Sequence, residues 1–256
     1  QKFPQWARLL ANMLHHTGQE RLLDTLLKRN IGILNNVDVD SLTNVTNVMC
    51  SYWLLNNRVS DCQELTLKVA KHKDKGVTQE IYLKIRKSRI DKDFESVKSY
   101  LKQSLKLAKE KDKKRVPWLY ISLANNAMYD RKIDEAQSYL SRFKENVDKY
   151  FPNSMYREYG DLIEGVALIE KGEAKLAISF FRNLHDKINA KVDGATPPVI
   201  WSYMYLAFAL KMDGQSTQTI RAQLKKILNN FPDYSVVINL LDLFFFFLGL
   251  KKFKNV

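Results

Sequence analysis

Apolar residues recur along most of this chain at spacings of three and four. From Ile133 they follow at Ala136, Leu140, Phe143, Val147 and Tyr150, and Pro152 lies just beyond. That spacing puts them on one face of an amphipathic helix. Upstream, the apolar-rich stretch 118–128 opens just after Pro117, and the polar turn Tyr129-Asp130-Arg131-Lys132 divides the two segments. The pattern predicts a helix, a tight turn and a second helix.

The same grammar recurs five more times. Segment 161–171 precedes Gly172 and 174–188 follows it, while 199–212 precedes Asp213-Gly214 and 217–231 runs to Pro232. Earlier pairs are 6–16 with 22–27 across Thr17-Gly18, 45–55 with 59–70 across Asn56-Asn57, and 80–90 with 94–108 across Asp91-Lys92-Asp93. Small or apolar residues at the matched position of the second helices are Leu22, Cys62, Val97, Ala136, Ala177 and Thr219, at spacings of 40, 35, 39, 41 and 42. A period near forty is that of a helical solenoid. Pro4, Pro117, Pro197 and Pro198 fall at helix starts and Pro152 and Pro232 just past helix ends, where the ring's fixed dihedral and missing N–H are tolerated. All four tryptophans fall in first helices. The expected fold is all-α: an α-solenoid of about six antiparallel helical hairpins in a single domain, with repeats at 4–30, 43–72, 78–110, 117–151, 158–190 and 198–232.

Composition agrees with that reading. The 256 residues are 45% hydrophobic and 27% charged, enough to bury a core, and nine Gly with six Pro are too few to punctuate a many-stranded sandwich or barrel. The most hydrophobic segment, 236–250, holds Phe244 to Phe247 in a row but also Asp242, and it is shorter than the roughly 20 residues of a membrane span. It is expected to form a terminal helix over 235–250 that packs on the last repeat. The chain opens with Gln1 and shows no basic segment followed by an apolar one, so it reads as a fragment or processed form of a longer protein. Its expected compartment is the cytoplasm, the alternative being an exported chain whose signal has been removed.

Several segments resemble the tetratricopeptide repeat (TPR) family, whose unit is a helix-turn-helix of about 34 residues with a small residue on each helix where the two touch. The matching residues are Asp93-Phe94 through Val97, Leu101 and Ser104-Leu105, then Lys132-Ile133-Asp134-Glu135-Ala136, then Gly165, Gly172, Ala177 and Phe181. Ala207, Gly214 and Pro232 repeat part of the pattern, with Thr219 in place of the usual Ala. Every spacing exceeds 34 and the first two repeats lack most signature positions; longer helices or loops account for the difference. The resemblance implies that the hairpins stack into a right-handed α-solenoid, and in the family the first helices line a concave surface that holds the ligand. Carried onto this chain, the resemblance places Arg8, Asn12 and His15 there, then Asn47 and Ser51, then Tyr82, Arg86 and Arg89, then Asn125 and Tyr129, then Tyr159, and finally Trp201, Tyr205 and Lys211. It also puts Cys50 and Cys62 at the two small positions of one hairpin. There they are either a disulfide, in an oxidising compartment, or two buried packing residues.

Motifs of chemistry are missing from the sequence. His15, His16, His72 and His185 show no ligand spacing, and there is no glycine-rich phosphate loop or nucleophile motif. The expectation is therefore no enzyme activity, no metal and no cofactor. The implied function is a protein–protein or peptide interaction module, a scaffold or sensing domain of a regulatory protein, whose partner is an extended or amphipathic acidic segment held by Arg86 and Arg89. Charge supports an alternative, because residues 68–115 carry +10 of the chain's +13. A basic patch of that density attracts RNA, a membrane surface or an acidic protein, although the run from Lys106 to Arg115 has no interleaved aromatics for stacking bases. A third reading is an exported assembly factor with Cys50 and Cys62 bonded. Oligomeric state is left open by the sequence.

Overall fold

The computed structural model describes residues 24–25, 34, 37–55, 58–152, 154, 156–189 and 197–230. The expected hairpin at 4–30, with Arg8, Asn12 and His15, lies outside the described residues apart from Asp24 and Thr25, and the expected terminal helix at 235–250 lies wholly outside them. Among the described residues every regular element is helical. Ten α-helices follow in order: α1 (Val39–Leu55), α2 (Val59–Lys71), α3 (Val77–Ile90), α4 (Phe94–Lys111), α5 (Val116–Tyr129), α6 (Ile133–Tyr150), α7 (Tyr156–Glu170), α8 (Ala174–Asn189), α9 (Pro197–Met212) and α10 (Thr217–Asn230). The chain divides into two compact units, Gln1–Gln79 with Val192–Val256, and Glu80–Lys191.

Two first helices begin five or six residues earlier than the hydrophobic pattern suggests, and the reason is local. Asp38 Oδ1 accepts the Ser41 N–H at 2.8 Å and so caps a helix that starts at Val39 rather than near 45. Helix α7 starts at Tyr156 rather than 161, where Ser154 Oγ accepts the Tyr156 N–H at 3.3 Å. Polar first turns hide such starts from a periodicity argument.

Four hairpins turn in the same way. Helices α3, α5, α7 and α9 each end in one left-handed residue: Lys92 (φ 56°), Arg131 (φ 56°), Gly172 (φ 76°) and Gly214 (φ 76°). In each case that residue's N–H bonds back three residues, as Lys92 to Arg89 O (3.2 Å) and Arg131 to Met128 O (3.0 Å), and the next N–H bonds back five, as Asp93 to Ser88 O (2.9 Å) and Lys132 to Ala127 O (2.8 Å). This paired closure satisfies helix-end carbonyls. Five residues after the turn residue, Val97, Ala136 and Ala177 are wholly buried, as the matched positions require.

The last hairpin departs from the expected register. Thr219, read as its small buried position, is exposed, and Ile220 is buried in its stead at 3%. One extra residue in the turn delays α10 to Thr217. Accordingly Ile220 N bonds to Ser216 O (3.1 Å), the equivalent of Ala177 N to Glu173 O (2.9 Å).

The core of the second unit runs from Ile81 and Ile85 of α3 through Val97 and Leu101 of α4 and Leu123 of α5 to Leu140, Phe143 and Val147 of α6. Two glycines admit α7 to this stack: a Cβ on Gly160 would stand 2.8 Å from the Phe143 ring, and one on Gly165 would stand 2.3 Å from the Phe181 ring. Both rings are wholly buried, so neither has room to withdraw.

Candidate functional site

Helix α3 is apolar on the side facing α4, where Ile81 and Ile85 are buried. Tyr82, Arg86 and Arg89 fall at spacings of four and three on a different face and so lie together. Tyr82 and Arg86 are half-buried, and the Arg86 guanidinium carbon sits 5.6 Å from the centre of the Tyr82 ring, a stacking contact that orients the fork. Arg86 Nε and the Tyr82 hydroxyl are buried without a hydrogen-bond partner, each at a cost of about 1–3 kcal/mol. Arg89 keeps solvent access, yet the surrounding protein desolvates its charge and Arg86 repels it, so its pKa lies below the usual arginine value despite the nearby Tyr129 and Tyr82 hydroxyls. Burial raises the Tyr82 pKa, opposed by the charges of Arg86 and Arg89. Neither arginine is paired with a carboxylate among the described residues. The structure thus brings four of the sequence-predicted residues, Tyr82, Arg86, Arg89 and Tyr129, into one cationic cluster.

Its rim is apolar and accessible. Tyr129 is 75% exposed and Ile90, which sequence reasoning missed, is 66% exposed. Each sits at the last turn of a first helix, α3 or α5. Asn125 is exposed one turn before Tyr129, whereas the adjacent Asn126 is buried and donates from Nδ2 to Phe94 O at 2.9 Å, tying α5 to the start of α4.

Other predicted contacts are distributed differently. Tyr159 packs into an aromatic cluster, edge-on to Trp118 at 6.3 Å with Tyr156 and Phe151 alongside, and burial pushes its hydroxyl up to about 12; it serves packing between hairpins, not a free face. Trp201 and Tyr205 stack at 5.8 Å on α9 in the other unit, with Lys211 exposed at the helix end. Asn47 is exposed on α1, and the side chain of Ser51 lies outside the described residues. Cys50 and Cys62 face each other across α1 and α2, 0% and 5% exposed, with Cα atoms 4.8 Å apart, a separation that suits a disulfide.

Two ionic groupings were not legible in the sequence. Buried Asp24 accepts from Trp53 Nε1 at 2.8 Å and pairs with Arg58 at 2.6 Å, so a residue from the first expected repeat is tied to the second. In the other unit Lys144 binds Asp161 (2.6 Å) and Glu164 (2.7 Å), while Lys187 binds Asp161 from α8 at 3.1 Å. Desolvation raises the Asp161 pKa, but the Lys144 hydrogen bond and charge, with Lys187 adding to both, outweigh it and hold the carboxyl below its ordinary value. These pairs join residues 29 or more apart, or helices whose order alone does not set their rotation. Among the described residues no group of three His, Cys, Asp or Glu side chains is arranged to hold a metal, and no helix is long and apolar enough to cross a membrane.

No protein-family model matches the sequence, and no curated protein is significantly similar to it. Among solved structures the chain is similar to BtubC (BKLC) from P. vanneervenii, with a TM-score of 0.51 and 13% identity over 90% of this chain and 91% of that one. It is also similar to a variant of a Podosopora anserina kinesin light chain-like protein with nearly identical TPR-like repeats, with a TM-score of 0.50 and 15% identity over 75% of this chain and 93% of that one. The chain has a TPR-like helical-repeat fold. At these identities the likeness concerns the backbone arrangement, and the cluster on α3 is a property of this chain's own TPR-like hairpins.

Proposed function

We propose that the protein is a non-enzymatic interaction module that binds an acidic segment of a protein partner on the first-helix face of its second unit. The observation that carries this reading is the Tyr82, Arg86, Arg89 and Tyr129 cluster, two guanidiniums that no carboxylate among the described residues pairs with, beside an exposed tyrosine and isoleucine. Arginine and tyrosine are the side chains that most often anchor a bound partner, and an acidic residue flanked by apolar ones matches both the charge and the rim. The TPR-like repeats of one structure to which the chain is similar match the helical-repeat frame on which this reading places the cluster. Asn125 extends the same surface along α5, whereas Trp201, Tyr205, Lys211 and Asn47 belong to faces of the other unit.

The test is a capture from source-cell lysate with wild-type protein and with Arg86→Glu/Arg89→Glu, at low and high salt and with nuclease. A set of proteins retained by the wild type after nuclease and absent from the variant supports the reading. Equal retention by both removes these residues from the site. A second reading rests on α4, whose Lys102, Lys106, Lys109 and the following Lys113 are all exposed. In that case RNA is the ligand, and the captured material disappears with nuclease and with rising salt.

A further inference from the structure

The acidic group that fits the α3 cluster is identified by counting charge, an inference that rests on the interaction-module reading above. Arg86 and Arg89 lie within one helical turn and repel each other, Arg89 in surroundings that penalise its charge. Within reach of that charge the described residues supply only the hydroxyls of Tyr82 and Tyr129. Among the described residues the site therefore holds two positive charges and no negative one, with the exposed Tyr129 O–H donor at its edge. A carboxylate brings one negative charge and two acceptor oxygens, which leaves one guanidinium uncompensated. A phosphorylated side chain brings about −1.5 to −2 at pH 7 and three acceptor oxygens, which neutralise both and engage arginine forks in paired hydrogen bonds. Stacking of Arg86 on the Tyr82 ring at 5.6 Å holds one fork in place before binding, which lowers the ordering cost. Exposed Ile90 and Tyr129 provide apolar contacts for residues next to the phosphate, which a free ion or a nucleic-acid backbone would not use. We propose that Arg86, Arg89 and Tyr129, with the Tyr82 ring orienting Arg86, bind the phosphoryl group of a phosphorylated side chain in a partner protein.

The experiment titrates the full chain, by fluorescence anisotropy, with three peptide pools of identical randomised flanks that carry serine, glutamate or phosphoserine at the centre. Inorganic phosphate and an RNA oligonucleotide serve as further probes. The expected result is phosphoserine binding at least about tenfold tighter than glutamate, as a second charge-assisted pair supplies, with the serine pool weaker than both. Phosphoserine binding should fall at least about tenfold in Arg86→Gln and in Arg89→Gln. Arg89→Gln removes a repelled, desolvated charge and is expected to melt no lower than the parent, so lost binding in that variant is not lost folding. Equal binding of the glutamate and phosphoserine pools overturns the phosphoryl assignment and leaves the acidic-segment reading standing. If no pool binds, both fall. Inorganic phosphate or RNA binding as tightly as the phosphoserine pool overturns the assignment of a protein side chain as the occupant.

Discussion

Replacing Gly165 by alanine tests the packing that holds α7 against α8. Alanine is the better helix former by about 1 kcal/mol, so in an open helix the change would stabilise. Here the added Cβ would stand 2.3 and 2.5 Å from two carbons of the Phe181 ring and 3.0 Å from Phe180, against an ordinary carbon contact of about 3.5–4.0 Å. Relief requires a ring with no exposed surface to move by about 1 Å into a close-packed core. Overpacking of this kind costs about 1–3 kcal/mol, and the depth of the overlap puts Gly165→Ala at the upper end. After the propensity gain, a net loss of about 2 kcal/mol is expected. Gly160→Ala is the internal control: its nearest contacts are 2.8 and 2.9 Å to Phe143 and 3.3 Å to a flexible Lys144 carbon, so its net loss should be about 1 kcal/mol or less. In urea, with a slope of about 2 kcal/mol per molar, the Gly165→Ala midpoint should fall by about 1 M. Amide exchange in α7 and α8 should quicken by about 30-fold. Phe181→Leu in the same chain should recover about 1 kcal/mol relative to the sum of the single changes. A Gly165→Ala protein as stable as the parent, or less affected than Gly160→Ala, refutes the steric argument.

Other outcomes follow from the turns and the buried groups. Lys92 and Arg131 hold the left-handed position that glycine fills in two other hairpins, so Lys92→Gly and Arg131→Gly should each gain about 0.5–1 kcal/mol; thermal melts that show a loss contradict this. Burial and its Glu135 neighbour push the Tyr139 hydroxyl up to about 12, and burial does the same to Tyr159. Because an unfolded phenol ionises near pH 10, their contribution is complete below pH 10 and is lost as pH rises toward 12. Tyr159→Phe should lose less stability between pH 8 and 11 than the parent, as read by melting and by absorbance near 295 nm. Asp161 titrates below its ordinary value, so its contribution is present above about pH 4 and vanishes as pH falls through the lowered pKa. Asp161→Asn should therefore cost about 3 kcal/mol at pH 7 and little at pH 2, as measured by urea titration at both. If Cys50 and Cys62 are bonded in the native protein, its intact mass will rise by two hydrogens on reduction and α1 and α2 will lose about 3 kcal/mol; an unchanged mass assigns them to packing.

The hairpin grammar was written locally, and that part could be read from the chain. Prolines at helix ends, turn residues such as Lys132-Ile133-Asp134 and apolar spacings of three and four act over a few residues, and the described helices from Val39 to Asn230 follow them. Where a local signal was weak the boundary moved: Asp38 starts α1 early, and the extra turn residue before α10 exchanges Thr219 for Ile220. Part of the site was legible too, because Tyr82, Arg86 and Arg89 share a face by helical spacing alone. The convergence of Tyr129 on them, the lack of a neutralising carboxylate among the described residues, the diversion of Tyr159 into the Trp118 cluster and the tie from Asp24 to Trp53 and Arg58 depend on how separate helices rotate against one another. Rotation is set by volumes meeting across interfaces, as at Gly160 against Phe143 and Gly165 against Phe181, and sequence spacing within one helix carries no record of the helix it will face.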